Sequence, residues 1–187
     1  PITCLNSMHQ HGRLRTSMLF SQTPPPQRRI LTIFIDGASR GNPGASGIGI
    51  FCKNAQGKMV IKSGFFTGAQ TCNQAEYSAL VYTLFYLTKT LTSEQRTNYH
   101  LSVTADSLLL INQMRGVWKI KEPTLKKLAE IIKELAPGFT FTFTHVLREY
   151  NTNADELANL GVDEKKIPPQ EFLDLLAAHG VPLDIER

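Results

Sequence analysis

Four acidic residues lie at positions where a folded chain could bring their side chains together. Asp36 and Asp106 each follow a run of apolar and β-branched residues, whereas Glu76 and Asp155 lie in the first turns of predicted helices. Strands joined through a helical crossover run parallel, so the two aspartates would meet at one edge of a sheet. Carboxylates gathered there repel one another unless cations neutralise them, and Mg²⁺ prefers such oxygen ligands. The spacing therefore predicts a divalent metal site.

Each of these acids also has a simpler interpretation when it is taken alone. An aspartate after a strand commonly caps a turn, and an acid in a first helical turn commonly complements the helix dipole. A single acid does not separate the two interpretations. The metal site is favoured because all four positions point to the same edge of one sheet.

The periodicity of the sequence predicts an α/β domain with a five-stranded mixed sheet and helices on both faces. Its order is β-β-β-α-β-α-α-β-α. The glycine-rich stretch 37–49, which contains an Asn-Pro-Gly turn signal, is predicted to connect the first two strands. The strands are predicted at 30–35, 48–53, 58–66, 100–105 and 139–146, and the helices at 72–91, 107–114, from Pro123 to Pro137, and at 153–160.

The same patterns divide the 187 residues into three parts. Residues 1–29 lack periodicity and end in a proline-rich run, so we expect a flexible, disordered leader. Residues 30–161 form the predicted domain that carries the four acids. Residues 162–187 form a C-terminal extension with a short amphipathic helix predicted at 168–179, which would either pack on the domain or recruit a protein partner.

Composition narrows the class of protein. The three cysteines are widely spaced and show neither a zinc-type nor a disulfide pattern, which indicates a reducing compartment. The sequence lacks an apolar stretch long enough to span a membrane, and we expect a cytoplasmic protein. The arginine and serine content of residues 1–29 leaves organellar targeting as an alternative. A net charge of +4 permits nucleic-acid binding without identifying it.

Four short motifs occur in order along the chain. They are residues 33–44 (IFIDGASRGNPG) followed by Gly47-Ile48-Gly49, residues 71–77 around Glu76, residues 104–107, and residues 153–158. In this order they resemble the four motifs of type 1 ribonuclease H, and together they span about residues 30–160. Four motifs on the expected elements are far more specific than one alone.

The resemblance implies an endonuclease that hydrolyses the RNA strand of RNA–DNA hybrids and leaves 5′-phosphate and 3′-hydroxyl ends. It assigns to Asp36, Glu76, Asp106 and Asp155 both the catalytic role and the binding of two Mg²⁺ ions, for which Mn²⁺ can substitute. Two such ions activate a water on one side of the scissile phosphate and stabilise the leaving oxygen on the other. As a partner it implies the RNA–DNA hybrid, without a membrane, and the protein is expected to be a monomer.

Amide side chains beside the catalytic acids are the first candidates for recognising RNA. Amides both donate and accept hydrogen bonds, as do the 2′-hydroxyls in the shallow minor groove of a hybrid. Asn42, Asn73 and Gln74 flank the first two acids, and Gly37 completes the predicted substrate-binding set at this end of the site. Simple turn chemistry at Asn42 and helix capping at Asn73 are the alternatives.

A basic and aromatic segment follows the fourth strand. Residues 115–121 combine Trp118 with three bases, among them Lys119 and Lys121. The segment resembles the place where family members contact the backbone of the DNA strand, through phosphate contacts and stacking. Packing of Trp118 between helices is the alternative interpretation.

One position departs from many family members, which carry a histidine on a mobile loop before the last helix that assists product release. Here residues 145–155 leave only a short loop, and His145 falls within the predicted fifth strand. The Arg-Glu-x-Asn pattern at 148–151 resembles a subgroup without that histidine, in which Arg148 takes over part of its role. Arg148 and Asn151 therefore join the predicted substrate-binding residues.

Other functions stay open at this point. One is a different nuclease of the same superfamily, although the motif around Glu76 argues against integrases and resolvases. Another is a ribonuclease H domain released from a reverse transcriptase. A third is a hybrid-binding module without activity, which a missing carboxylate would favour, but all four acids are present.

Overall fold

A computed structural model of the chain describes residues 28–185, which form one five-stranded mixed sheet flanked by helices. The strands are β1 (Arg29–Gly41), β2 (Gly44–Asn54), β3 (Met59–Gln70), β4 (Tyr99–Ala105) and β5 (Thr140–His145). The helices are α1 (Cys72–Thr90), α2 (Ser93–Arg96), α3 (Leu108–Met114), α4 (Pro123–Leu135), α5 (Thr152–Glu164) and α6 (Gln170–Ala178), with a 3₁₀ turn at Arg148–Tyr150. The predicted fold class is confirmed; the sequence patterns missed α2 and the 3₁₀ turn.

The predicted domain bounds, residues 30 and 161, can be compared with the observed ends of β1 and α5. Residues 1–27, most of the predicted leader, lie outside the described residues. β1 begins one residue earlier than the predicted domain, and α5 runs past the predicted boundary at 161. The domain bounds themselves stay a prediction.

The sheet joins an antiparallel meander to a parallel pair. Its strand order is β3-β2-β1-β4-β5, in which β1 pairs antiparallel with β2 and parallel with β4. The parallel pairing of β1 with β4 ends at Phe34 and Thr104. Asp36 and Asp106 each follow these last partners by two residues, so both leave the sheet at the same level.

The first hairpin corrects two predictions. Asp36 does not end β1, because the strand continues to Gly41 and sets Asp36 opposite Gly49 of β2. The prediction of a glycine-rich connection at 37–49 is also wrong, because the turn is confined to residues 42–43. Glycine weakens a strand intrinsically, but pairing along a whole neighbouring strand overrides that preference here.

α1 packs on one face of the meander and begins at a capping box. Thr71 Oγ1 accepts a hydrogen bond from Gln74 N at 3.3 Å, and Gln74 Oε1 accepts one from Thr71 N at 3.0 Å. Behind this cap the helix is buried against Ile33 and Ile35 in the main core. Neither α1 nor another of the helices within residues 28–185 is long and apolar enough to cross a membrane.

α5 covers the opposite face of the meander at very short range. A Cβ atom added to the glycines beneath it would collide with carbonyl oxygens of the helix: Gly47 with Ala158 at 2.4 Å, Gly49 with Ala154 at 2.0 Å, and Gly64 with Leu157 at 2.2 Å. The missing side chains therefore let the helix backbone lie directly on the sheet. Since Gly49 lies opposite Asp36, this contact also sets the first turn of α5, with Asp155, beside β1.

The C-terminal extension packs on α1. Phe172 of α6 is fully buried, with its ring 5.1 Å from that of Tyr82 and 5.6 Å from that of Phe85. The helix predicted at 168–179 is thereby confirmed as Gln170–Ala178. Of the two roles left open for the extension, packing on the domain is the one that these contacts support.

Candidate active site

Asp36 and Asp106 lie next to each other where β1 and β4 stop pairing. The side chain of Asp36 is nearly buried, and Asp106 directly follows the last residue of β4. Nδ2 of Asn151 donates a hydrogen bond to Ile35 O and another to Asp106 Oδ1, each at 3.0 Å. Asn151 therefore ties the carboxylate of one acid to the backbone beside the other.

Glu76 reaches the same place from the opposite face of the sheet, past Gly37. Neighbouring residues of a strand point to opposite faces, so Asp36 points towards α5 while position 37 faces α1. A Cβ atom on Gly37 would lie 2.3 Å from Glu76 N. The absence of that side chain is what lets the start of α1 lie against β1. The predicted place of Glu76 in the first turn is wrong, because α1 begins at Cys72 and Glu76 follows its first turn. Glu76 Oε2 is buried there without a hydrogen-bond partner among residues 28–185.

The pKa values of Asp36 and Glu76 reflect loss of contact with water and the charges of neighbouring acids. Burial, then repulsion from Asp106, raises the pKa of Asp36 from 3.8 to about 7, against a hydrogen bond from the backbone of Gly37 that lowers it. Burial also raises the pKa of Glu76 from 4.5 to about 8; Ser107 opposes the shift by hydrogen bonding, and Asp36 and Asp106 add to it. Such shifts mean that the ionised forms of both carboxyls are disfavoured in this cluster.

Asp155 joins the cluster at its edge. Its Oδ1 accepts a hydrogen bond from Nη2 of Arg148 in an ion pair. This hydrogen bond, and then the charge of Asp155, raises the pKa of Arg148 above its usual value. Asp155 also raises the pKa of Asp36, so the fourth acid lies within electrostatic reach of the others.

The chemistry of the cluster suits a hard divalent cation. Buried carboxylates that repel one another gain from a shared cation, and Glu76 Oε2 is a buried ligand oxygen without a partner in the described part of the chain. Within residues 28–185, however, no three acidic, histidine or cysteine side chains are already arranged as a metal-binding group. Binding a cation would thus draw these side chains closer together, and Asp155 would share its carboxylate with Arg148 or release it.

Two residues that the motif comparison did not assign also touch the cluster. The hydroxyl of Ser107 accepts a hydrogen bond from Leu110 N at 3.2 Å, which caps α3, and it lowers the pKa of Glu76. Nε2 of His145 lies 3.2 Å from Asp106 O. The place of Ser107 next to Asp106 is the only sequence signal for its role, and the long-range contact of His145 has none.

A groove beside the acids gathers most of the predicted substrate-binding residues. It lies between the start of α1 and the segment that joins α3 to α4, has a volume of about 720 Å³, and is called the α1–α3 groove below. Six predicted residues line it: Asn42, Asn73, Gln74, Trp118, Lys119 and Lys121. The structure therefore brings the amides and the basic aromatic segment onto one surface.

The contacts and exposure of three groove residues can be compared with the alternatives given for them: turn chemistry at Asn42, helix capping at Asn73, and packing of Trp118 between helices. Oδ1 of Asn42 accepts a hydrogen bond from the N–H of Cys72 at 3.2 Å, which ties the β1–β2 turn to the start of α1. Asn73 is exposed, and the capping box already satisfies the helix start without it. Trp118 is 45% exposed, so much of its ring faces the groove instead of being packed between helices.

Three predicted substrate-binding residues lie outside the groove. Asn151 is 1% exposed and uses its amide on Ile35 and Asp106, which corrects its predicted place on the substrate surface to one beneath the acids. The close contact of Gly37 with α1 accounts for the glycine by packing alone. Arg148 is exposed but paired with Asp155. Substrate binding by Gly37 and Arg148 stays a prediction.

The fold and the site together define a class of protein. A mixed sheet of this order, with acids gathered where the central strand meets its parallel neighbour, is typical of the ribonuclease H-like domains. The chemistry of such a site follows from its acids and not from the fold alone.

Comparison with known proteins agrees with this class. The family described as reverse transcriptase-like matches residues 34–161. Ribonuclease HI of Halobacterium salinarum is 35% identical over 135 residues, which cover 70% of this chain and 63% of that protein. A bifunctional protein of Mycobacterium tuberculosis is 38% identical over 135 residues, 71% of this chain and 35% of that protein. LC11-RNase H1, solved in complex with an RNA/DNA hybrid, is 36% identical with a TM-score of 0.66, over 72% of this chain and 97% of its own.

These matches fix the family. The chain belongs to the type 1 ribonuclease H branch of the reverse transcriptase-like family. The family match at 34–161 contains all four acids of the cluster. The chain spans 63% of the length of the Halobacterium relative and 35% of the mycobacterial one.

Proposed function

We propose that this protein is an endonuclease that hydrolyses the RNA strand of RNA–DNA hybrids. The observation that carries the proposal is the burial of Asp36 and Glu76 at one point of the sheet with Asp106, whose charge raises the pKa of both. Buried like charges destabilise a fold, so a purely structural role does not account for them. The substrate class is supported by the relative LC11-RNase H1, which was solved with an RNA/DNA hybrid.

The four acids would hold two divalent metal ions, Mg²⁺ or Mn²⁺. Bound there, the ions would activate a water and stabilise the leaving oxygen, which gives 5′-phosphate and 3′-hydroxyl ends. Asn151 holds the Asp106 carboxylate in place with its 3.0 Å hydrogen bond. The burial of Asp36 and Glu76 keeps bulk water from screening their charges, so each carboxylate acts more strongly on a bound cation than it would in solution.

The α1–α3 groove would bind the hybrid beside the acids. The predicted amides Asn42, Asn73 and Gln74 are suited to 2′-hydroxyls, which distinguish the RNA strand from DNA. Asn42 would act as a donor, because its Oδ1 already accepts the hydrogen bond from Cys72 N. The tryptophan and the two lysines of the groove are suited to the backbone and bases of the DNA strand.

Arg148 would act when the product leaves. Its guanidinium forms an ion pair with Asp155, an acid of the cluster, and is also exposed to solvent. A guanidinium binds phosphate oxygens as readily as carboxylates. Exchange of Arg148 between Asp155 and a product phosphate would take over part of the role of the loop histidine in other family members.

The reaction is tested with labelled RNA–DNA hybrid, duplex RNA and duplex DNA, each with Mg²⁺ and with a chelator. We expect cleavage of the RNA strand of the hybrid alone, in the presence of metal alone. The released fragments should lose their 5′-phosphate on phosphatase treatment, which reports the end chemistry. Cleavage in chelator, or of duplex DNA, would contradict the proposal.

A matched pair of variants on α5 separates chemistry from structure. Asp155→Asn removes an acid of the cluster, whereas Asp163→Asn makes the same change at an exposed position of the same helix. Asp155→Asn should lose cleavage but keep hybrid binding, and Asp163→Asn should keep both. Equal losses in the two variants would point to a disturbed helix and away from a catalytic role for Asp155.

A further inference from the structure

A second groove lies on the other side of the segment that joins α3 to α4. It is bounded by that segment, α4 and β5, has a volume of about 750 Å³, and is called the α4–β5 groove below. The function proposed above does not use it. Its large apolar lining residues are Met114, Trp118, Ile120, Ile132, Phe141 and Phe143.

Cations outnumber acids around the α4–β5 groove. Its charged lining consists of one acid and four cations, Glu130, Arg115, Lys119, Lys126 and Lys133. The three lysines are exposed, and none of them takes part in an ion pair within residues 28–185. Arg115 donates from Nε to Phe143 O at 3.0 Å and so covers part of the outer edge of β5. Four cations against one acid leave an excess of positive charge, which favours an anionic ligand.

The two grooves are continuous with each other. Gln113, Trp118 and Lys119 line both of them. The half-exposed ring of Trp118 therefore stands at the boundary between the proposed hybrid surface and the α4–β5 groove. A strand that leaves the first groove can pass over this ring into the second without leaving the protein surface.

We propose that the α4–β5 groove binds a single-stranded extension of the DNA strand, continuing from a hybrid in the α1–α3 groove. This inference rests on the proposed function for the position of the hybrid. Surfaces for single-stranded nucleic acid combine backbone-binding cations with aromatic side chains, and this groove has both. An acidic polypeptide would match the charges, but the continuity with the hybrid surface favours nucleic acid.

The spacing of the groove residues fits such a strand. Lys126 and Lys133 lie two helical turns apart on the same face of α4, about 10.5 Å along its axis, so each can contact a different phosphate of one strand. The rings of Phe141 and Phe143 are parallel, with centroids 5.6 Å apart, so they face each other and form an apolar floor. Trp118 therefore offers the ring face on which a base can stack.

The test compares the full chain's affinity for a short blunt hybrid and for the same hybrid with an oligothymidine extension of about eight nucleotides on the DNA strand, within the range of single-strand sites. Fluorescence anisotropy is measured for extensions at either end, in chelator to prevent cleavage. One stacked base is expected to raise affinity about fivefold or more. Two added phosphate contacts should steepen the dependence of log K on log salt by roughly 1.4.

Paired charge reversals locate the effect. Lys126→Glu with Lys133→Glu should abolish the gain from the extension while leaving blunt-hybrid binding and cleavage unchanged. Lys58→Glu with Lys62→Glu, the same charge change on exposed residues of the β2–β3 hairpin, should leave the gain intact. Glu130→Gln removes the one acid among the groove's charged residues and should increase the gain.

Three results would overturn the inference. Wild-type protein that binds blunt and extended hybrids equally at both ends rejects a single-strand site, and an acidic polypeptide then becomes the better match for these charges. A gain that survives the Lys126 and Lys133 reversals places the extension elsewhere. Equal losses in the control pair would show a general effect of charge. Failure of the proposed function is distinct, because it would leave the hybrid uncut whatever the extension does to affinity.

Discussion

The two halves of α1 make opposite use of burial. Near its start, burial of Glu76 raises the pKa of that carboxyl to about 8, which shows that the ionised form is disfavoured there. Further along, Tyr82 and Phe85 pack against Phe172 of α6, with ring centroids 5.1 and 5.6 Å apart. An ionised carboxylate loses hydration when it is buried, whereas aromatic rings gain both burial and mutual contact.

The contrast shows how a destabilising site is held in place. The start of α1 lies against β1 only because Gly37 has no side chain, and the charges gathered there repel one another. The aromatic contacts of the same helix lie outside the site and carry no charge below the pKa of Tyr82, which burial raises to about 12, so they oppose displacement of the helix throughout the neutral pH range. The start of α1 therefore carries a residue of the proposed active site, and the later part of the same helix carries the contacts that stabilise it.

The largest expected effect is on activity, at the start of α1. Glu76→Gln keeps the size of the side chain but removes a charge that the proposed metal site needs. Cleavage should fall on the order of a thousandfold, about 4 kcal/mol in the barrier. The melting temperature should stay the same or rise, because a neutral amide no longer disfavours burial. Initial rates and thermal melts of the same preparation measure both effects.

A control distinguishes loss of the site from loss of any acid. Glu94→Gln makes the same change at an exposed position of α2 and should alter neither rate nor stability. If Glu76→Gln lowered stability strongly and left the rate of the folded fraction intact, Glu76 would be a structural residue and the comparison drawn along α1 would fail.

The largest expected effect on stability lies at the other half of the comparison. Phe172→Ala removes a fully buried ring and should lower the free energy of unfolding by about 3–5 kcal/mol. Activity per folded molecule should be unchanged below the new transition. Urea denaturation gives the first quantity and initial rates at low temperature the second. Ala178→Ser on the exposed side of α6 is the matched control, with an expected change within about 0.5 kcal/mol.

The pH dependence of stability should reveal the carboxylates directly. Asp36 and Glu76 titrate at about 7 and 8 in the folded protein but ordinarily at 3.8 and 4.5. The folded state thus binds protons that the unfolded state releases, so the stability they contribute is complete below about pH 4 and is lost as pH rises through 7 and 8. In chelator, the free energy of unfolding should fall between these limits. A wild-type profile no steeper than that of Glu76→Gln would contradict the assignment.

The four acids could be predicted from the sequence, but the residues that position them, Asn151 and Gly37, could not be given that role. Each acid lies within a local motif on an element with a clear period, so spacing along the chain indicates it. Asn151 bonds to Ile35 and Asp106, which lie 116 and 45 residues away, and no local pattern reports such contacts. The packing role of Gly37 is equally hidden, because it depends on where α1 crosses β1.

The fold shows the same division between local and long-range signals. The β-branched runs predicted the strands, and the helical periodicity predicted α1, because both signals are local. The continuation of β1 to Gly41 was missed because pairing with β2 outweighs the weak strand preference of glycine. The apolar spacing of α6 predicted a helix, but its docking on Tyr82 and Phe85 depends on tertiary contacts.

The smallest expected effect lies at the end of α6. Nδ1 of His179 lies 2.9 Å from Leu175 O, and Nε2 lies 2.9 Å from Glu134 Oε2. These contacts, the backbone one first, raise the pKa of His179 above 6.5. The stability that they contribute is therefore present below pH 6.5 and is lost as pH rises through the raised pKa. Because Glu134 is exposed, the contribution should be at most about 0.5 kcal/mol.

His179→Gln tests whether the raised pKa of His179 reflects a favoured charged form, whereas the raised pKa values of Asp36 and Glu76 reflect a disfavoured one. Urea denaturation should show the variant slightly less stable than wild type at about pH 5.5 and equal to it at about pH 9. Cleavage should be unaffected. The pKa is raised in both regions, but at Glu76 burial penalises the charge, whereas at His179 an attraction favours it. A deficit of equal size at both pH values would instead assign His179 to packing, and the contrast between the two regions would rest on the aromatic rings alone.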